Sequence, residues 1–225
     1  MAWRSSGGSN EDLVQNLCRN GLIKTKKVAD AMASVDRICY CGGAPAQLAY
    51  RDNPMSIGYN ATISAPHMHA WCLELMDIKE GQCVLDVGSG SGYLTACMAQ
   101  LVGPQGKAYG VEHVKELVEF SKNNIAKDRP DLKNWSIETA DGRLGLPKSG
   151  PFNAIHVGAA AGKIPMELLK QLADNGRLVI PVGLDGGTQY LYIITREGNN
   201  FRQQKVTGVR YVPLCDLKSQ VEVSE

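Results

Sequence analysis

Residues 84–93 read VLDVGSGSGY: an apolar run, an aspartate, and glycines at positions 88, 90 and 92. A strand ending in a glycine-rich turn at the start of a helix presents backbone N–H groups to an anionic ligand. The dinucleotide fingerprint requires Gly-x-Gly-x-x-Gly/Ala, and counted from Gly88 the third position falls on Tyr93, which does not fit. Asp86, just before the turn, would repel a pyrophosphate and suits a ligand with positive charge and no phosphate. S-adenosylmethionine, with a sulfonium, an ammonium and a carboxylate, is such a ligand. The helix N-terminus can take its carboxylate while Asp86 faces the cationic end. Twenty residues beyond Gly92, Glu112 ends a second strand-like segment and can accept from both ribose hydroxyls. Asp141 and Gly142, at the end of a third, are placed to approach the adenine. Taken singly these signals are weak, since Glu112 could simply cap a helix at Val114. Three in register at successive strand ends carry more weight.

Such a turn needs a strand before it and a helix after it, and the chain alternates the two beyond Gly81. Strands are predicted over 82–87, 107–112, 135–139, 152–157 and 177–182, with helices at 91–102, 114–126 and 164–174. This alternation means a doubly wound, mostly parallel α/β sheet. TQYLYIITRE and RQQKVTGVRYVPL flank Gly198-Asn199-Asn200 with no room for a helix, so the C-terminal part is an antiparallel hairpin at one sheet edge. Upstream, Ser9 and Asp12 form a capping box for a helix carrying Leu13, Val14 and Leu17, which Gly21 stops. Thr25 caps a second helix with Val28, Met32 and Val35 on one face. Residues 39–60, rich in Gly, Pro and Asn, read as an irregular connection. A third helix starts near Ser64, its N-cap, with Pro66 in the first turn and Met68, Trp71, Cys72 and Leu75 as its buried stripe. With no linker or repeat, residues 1–225 form a single domain. Residues 1–80 supply helices and a covering segment, and 81–225 the cofactor-binding core.

Composition narrows the function class. Lys and Arg number 24 against 23 Asp and Glu, which argues against a nucleic-acid partner. No stretch reaches the roughly 18 apolar residues of a membrane span, and the first residues carry no signal-peptide pattern. The seven cysteines (18, 39, 41, 72, 83, 97 and 215) are scattered without a Cys-x-x-Cys pair, as in a cytoplasmic protein with reduced, buried thiols. His67 and His69 would point about 200° apart on a helix, so no metal is expected; Cys39-x-Cys41 reads as packing rather than redox chemistry. Trp3, Trp71 and Trp135 read as packing residues.

SIGYNATISAPHMHA at 56–70, then LDVGSGSGYLTA, DGR, NAIHVGAAA, GRLVIPVG and VRYVPL, together resemble the protein-L-isoaspartate O-methyltransferase family. The N-terminal MAW and the segment NGLIKTKKVADAM extend the resemblance over nearly the whole chain. It implies a Rossmann-like methyltransferase fold. The implied reaction moves a methyl group from S-adenosylmethionine, leaving S-adenosylhomocysteine, to the α-carboxylate of L-isoaspartyl residues in damaged proteins and peptides. The ester then returns to a succinimide. The family's cofactor contacts carry over to Ala61, Thr62, Ile63, Ser64, His69, Ser89, Glu112, His113, Asp141, Gly142, Cys215 and Gln220, and Ser64 is its active-site serine. Cys215 stands where animal members have threonine, and the stretch 39–53 departs from the family.

A carboxylic acid is ionised at pH 7, so the acceptor needs no general base, consistent with a sequence that offers none. Ser64 is expected to hold one carboxylate oxygen and aim the other. The substrate main chain is expected to pair, strand-like, with Ile57, Gly58 and Tyr59 and with Val209–Val212, including Tyr211; alternatively these two segments pair with each other. A monomer is expected. Two other readings stay open: a methyltransferase acting on a small molecule, and a cofactor-binding subunit without catalysis.

Overall fold

A computed structural model describes residues 5–221; Met1, Ala2 and Trp3, part of the resemblance, lie outside the described residues. The chain opens with α1 (Asn10–Arg19) and α2 (Lys26–Ser34). Ser9 Oγ accepts from Asp12 N at 3.2 Å, the predicted cap. Buried Asn10 spans between the helices, its Nδ2 donating to Met32 O, Ala33 O and Val35 O at 3.0–3.2 Å. It satisfies carbonyls that the end of α2 leaves without partners. Thr25 stands at the N-cap of α2, as expected, but makes no side-chain cap bond. Glu74 instead accepts from Lys24 N, Thr25 N and Thr25 Oγ1 at 2.8, 2.8 and 3.0 Å.

The segment read as irregular is in large part ordered. It holds a 3-10 turn (Arg37–Tyr40), α3 (Ala46–Ala49) and a two-stranded hairpin of β1 (Met55–Gly58) and β2 (Ala61–Ile63). Gly58, Tyr59 and Asn60 at its tip all have positive φ, at 88°, 52° and 54°, which is why this stretch is rich in Gly and Asn. Next comes α4 (Pro66–Met76). Its N-cap is Ala65, without a side-chain cap bond, so the expected capping role of Ser64 is overturned. The expected buried stripe is also corrected: Cys72 is buried, but Met68, Trp71 and Leu75 are half-buried, and His69, Ala70, Leu73 and Met76 line the inner face. An apolar pattern on almost every side leaves periodicity unable to choose a face.

Seven further strands make one sheet: β3 (Cys83–Val87), β4 (Lys107–Glu112), β5 (Trp135–Thr139), β6 (Phe152–Val157), β7 (Leu172–Val182), β8 (Gln189–Glu197) and β9 (Asn200–Val209). Their order is β5-β4-β3-β6-β7-β8-β9, parallel from β5 to β7 and antiparallel from β7 to β9. The helices between them are α5 (Tyr93–Val102), α6 (Lys115–Asp128) and α7 (Met166–Lys170). The helix predicted at 164–174 is thus only five residues, because the chain turns extended at Leu172 and bends through Asn175 (φ 59°) into β7.

Two apolar clusters sandwich the sheet. On one face Val84, Ala108 and Ala154 meet α1, α2, α4, α5 and α6. On the other Leu85, Val87, Ile155, Leu178 and Ile180 meet Leu168 and Leu169 of α7. Each fully buried aliphatic side chain contributes about 1.5–3 kcal/mol. The helices before residue 80 pack into the first cluster with α5. They hold β1–β2 above the carboxyl ends of β3 and β4.

Candidate active site at the carboxyl edge of the sheet

Strand order reverses at β3, whose neighbours β4 and β6 lead away in opposite directions; a crevice opens beyond such a point. Gly88, Gly90 and Gly92 fill it with a turn of three left-handed residues, φ 73°, 52° and 84°. A side chain at Gly92 would meet Ser121 Cβ at 2.9 Å, and one at Gly90 would meet Ile57 Cδ1 at 3.1 Å. The turn therefore needs glycine both for its backbone and for the approach of α6 and the hairpin.

A crevice opens beyond this turn. Ala61, Thr62, Gly88, Gly90, Glu112, His113, Gly142, Val212, Cys215 and Gln220 border it, all predicted site residues. A second chamber shares Thr62, Gly88, Gly90 and Gly158 with the first and adds Ile63, Ser64, His69, Asp86 and Ser89. Two buried polar atoms of this chamber's residues, Ser89 Oγ and His69 Nδ1, have no protein partner. Left unsatisfied each costs about 1–3 kcal/mol, so both invite a polar ligand. Burial, with the Arg37 guanidinium nearby, holds His69 well below its ordinary pKa and hence neutral.

Asp86 also has partners that the sequence did not reveal. Its Oδ1 lies 2.8 Å from His156 Nδ1 and its Oδ2 accepts from Thr95 Oγ1 at 2.7 Å, while the residue borders the second chamber. Burial pulls the His156 imidazole down, but Asp86 and Cys72 more than reverse this and push it up to about 10. The pair is an imidazolium and a carboxylate, both interior.

Glu112 is held by the backbone around it. Oε1 accepts from His113 N and Val114 N at 2.8 and 3.1 Å, and Oε2 from Gly90 N at 3.2 Å. Locked by three backbone donors, it borders the crevice with lone pairs to spare. Gly142 borders the crevice too. The Asp141 carboxylate is gripped by Arg143, at 3.0 and 3.1 Å from Nε and 2.7 Å from Nη2, and its side chain is not the part facing the ligand space. His113 Nε2 meets Gln220 Oε1 at 2.7 Å. Gln220, on α8 (Leu217–Val221), also donates through Nε2 to Tyr59 O and accepts through its own carbonyl from Asn60 Nδ2, both at 2.8 Å. A C-terminal clasp thus joins the hairpin tip to the end of β4 across the crevice.

The two segments expected to bind substrate do not pair with each other. Ile57 and Gly58 belong to the β1–β2 hairpin, with Ile57 turned inward and Tyr59 46% exposed; Val209 ends β9, opposite Gln189. The main chain of Tyr211 is already occupied: its N–H donates to Gln189 Oε1 at 2.7 Å and its carbonyl accepts from Gln189 Nε2 at 3.2 Å. The Val212 carbonyl accepts from Ala160 N at 2.8 Å. A substrate strand pairing here would have to displace Gln189 from the Tyr211 main chain.

Among the described residues no group of three or more His, Cys, Asp or Glu could hold a metal ion. His67 Nδ1 pairs with Asp52 at 2.7 Å, away from His69. Cys41 Sγ donates to Arg37 O, and burial raises both it and Cys39 above the ordinary thiol pKa. Cys215 borders the crevice, its thiol likewise raised by burial and Asp216. The sequence did not reveal His156, Gly158, Ala159, Pro213 or Leu214 as site residues. Gly158 had a usable signal, since it leaves β6 at the point where strand order reverses.

The family model described as protein-L-isoaspartate(D-aspartate) O-methyltransferase matches residues 8–219. A Caenorhabditis elegans protein-L-isoaspartate O-methyltransferase is 45% identical, over 98% of this chain and 98% of its own. One from Triticum aestivum is 47% identical over 96% and 95%. Among solved structures, a Plasmodium falciparum beta-aspartate methyltransferase in complex with S-adenosyl-L-homocysteine superposes with a TM-score of 0.82 at 39% identity, covering 92% of this chain and 98% of that one.

Proposed function

The chain belongs to the protein-L-isoaspartate(D-aspartate) O-methyltransferase family, and from that premise we infer that it methylates the α-carboxylate of L-isoaspartyl residues in proteins and peptides. S-adenosylmethionine, the donor, supplies an electrophilic methyl on a sulfonium. The observation that carries the reading is the pairing of two unsatisfied buried groups, Ser89 Oγ and His69 Nδ1, with a backbone-locked Glu112 at the other end of one crevice. This donor set fits an elongated ligand with an amino-acid end and a ribose end. In this reading Ser89, His69 and the N-terminus of α5 hold the amino-acid end. Glu112 accepts from the ribose, and Ala61, Thr62, Gly142, Cys215 and Gln220 enclose the rest.

Ser64 is the catalytic hydroxyl. It lies in the chamber with Ser89 and His69 and caps no helix, which frees it to donate to one substrate oxygen and fix the angle of the other. Alignment of oxygen, carbon and sulfur is what such a site must supply, and it can be worth several kcal/mol. The β1–β2 hairpin and Tyr59 form the substrate-side wall. We read residues 5–221 as one domain and the enzyme as a monomer acting on proteins and peptides, with neither nucleic acid nor membrane as partner. Seven free cysteines support a reducing, cytoplasmic setting.

Labelled S-adenosylmethionine offered with matched isoaspartyl and aspartyl peptides tests the reading. Base-labile label on the isoaspartyl peptide alone is expected; label on neither, with the cofactor bound, would leave only a binding subunit. Ser64→Ala should lower kcat about tenfold to a hundredfold, the worth of one hydrogen bond to a charged group, with cofactor affinity unchanged. Wild-type turnover in that variant removes Ser64 from the mechanism.

A further inference from the structure

Helix α4 begins at Pro66, which has no N–H to leave unpaired. Met68 N and His69 N both donate to Ala65 O, at 2.9 and 3.2 Å. His67 N–H is then the donor of this first turn that needs an acceptor from elsewhere. Ser64 stands three residues before it, the spacing at which a serine side chain caps a helix through a backbone N–H. Asp52 makes that bond instead. Its Oδ1 accepts from His67 N at 2.9 Å and lies 2.7 Å from His67 Nδ1.

Asp52 is a costly cap. Its side chain is fully buried and its Oδ2 has no hydrogen-bond partner, a burden that few buried polar atoms carry. The surrounding chain is built to hold it there. Arg37, also fully buried, donates through Nε to Ala49 O at 3.0 Å and through Nη2 to Asn53 O at 3.3 Å, on either side of Asp52. Asp52 N donates to Ser6 Oγ at 3.0 Å. A serine already has the spacing to cap α4, so a buried carboxylate brought from 15 residues away makes sense where that serine is needed elsewhere.

Resting on the reading of Ser64 above, we propose that Asp52 is a positioning residue for the methyl transfer. By occupying His67 N–H it removes the helix end as a competitor for Ser64 Oγ. A serine side chain adopts one rotamer at a time, so a hydroxyl engaged by the helix end is not aimed at the substrate carboxylate.

The preference of a helix end for a side-chain acceptor corresponds to about a fivefold bias in population. Asp52→Ala is therefore expected to lower kcat on an isoaspartyl peptide about fivefold, measured below the melting midpoint of every variant. The midpoint itself should fall by about 2–4 °C. In the Ser64→Ala background the same fall in midpoint is expected, with a change in kcat under about twofold, because no hydroxyl remains to be diverted. A kcat for Asp52→Ala equal to wild type overturns the proposal whatever the midpoint does, as does an equal loss of kcat in both backgrounds. Either result leaves the serine reading standing. If Ser64→Ala turns over at the wild-type rate, that reading has failed and the proposal falls with it. Ala65→Ser places a local acceptor at the N-cap. Added to Asp52→Ala, it should return kcat to within about twofold of wild type. This double variant also reads the test should Asp52→Ala not fold, and a kcat that stays about fivefold low overturns the proposal.

Discussion

Replacing Asp86 by asparagine separates two views of the most conspicuous acid in the glycine-turn motif. As a ligand contact it would govern cofactor affinity; as the partner of His156 it governs stability, and does so with a particular pH dependence. His156 is raised from 6.5 to about 10 in the folded protein. A base raised in this way contributes stability fully below pH 6.5 and loses it as pH climbs through 10. At one proton, or about 1.4 kcal/mol per pH unit, the contribution is roughly 3 kcal/mol at pH 7.5 and under about 1 kcal/mol at pH 9.5. In Asp86→Asn the imidazole loses the charge that holds its proton, and burial then favours the neutral ring. Breaking such a pair costs about 3–5 kcal/mol in total near neutrality. Urea denaturation of both proteins from pH 7.5 to 9.5 should show a stability gap that narrows by about 2 kcal/mol across the range. Cysteines whose buried thiols also weaken the fold at alkaline pH, Cys39 among them, are common to both and cancel in the difference. Parallel curves, or a His156 ring proton titrating near 6.5 in the wild type, would refute the ion pair. A large loss of cofactor affinity at unchanged stability would restore the ligand-contact view.

Glu112→Ala strips the acceptor from Gly90 N, His113 N and Val114 N and the proposed ribose contact with it. Isothermal titration should find S-adenosylmethionine binding about tenfold to a hundredfold weaker, and an affinity within twofold of wild type would count against the ribose role. Gln220→Ala opens the clasp between His113 and Tyr59. Stopped-flow release of S-adenosylhomocysteine should quicken several-fold while stability changes by less than about 0.5 kcal/mol, as for exposed substitutions generally; an unchanged release rate removes the clasp from cofactor retention.

What the sequence disclosed depended on how locally each feature is encoded. Strands β3 to β6 and helices α1, α5 and α6 lie close to their predicted places, because apolar periodicity and caps are written within a dozen residues. The glycines at 88, 90 and 92 were legible for the same reason: only glycine takes three left-handed steps without strain. The hairpin at 55–63 was missed because its strands are three and four residues long, too short for alternation to show. Thr25 was correctly placed at the N-cap of α2, but its hydroxyl was not seen to be taken by Glu74, which is 49 residues away. The face of α4 was misread because its apolar residues run nearly all round. The partner of Asp86 was missed as well, since it sits 70 residues on within an apolar strand.

The Asp86–His156 pair bears on the chemistry. Methyl transfer from a sulfonium to a carboxylate consumes one positive and one negative charge, so an environment with unmatched charge of either sign would favour the separated ions over the transition state. Each ionised group bordering the chamber around Ser64 is matched within the protein: Asp86 against His156, both interior. His69 is held neutral by burial and by Arg37. Glu112, in the other chamber, has its charge spread over three backbone N–H groups. With His156 beside it, the Asp86 carboxylate brings no net charge to the chamber around Ser64, which suits a step that neutralises a sulfonium and a carboxylate.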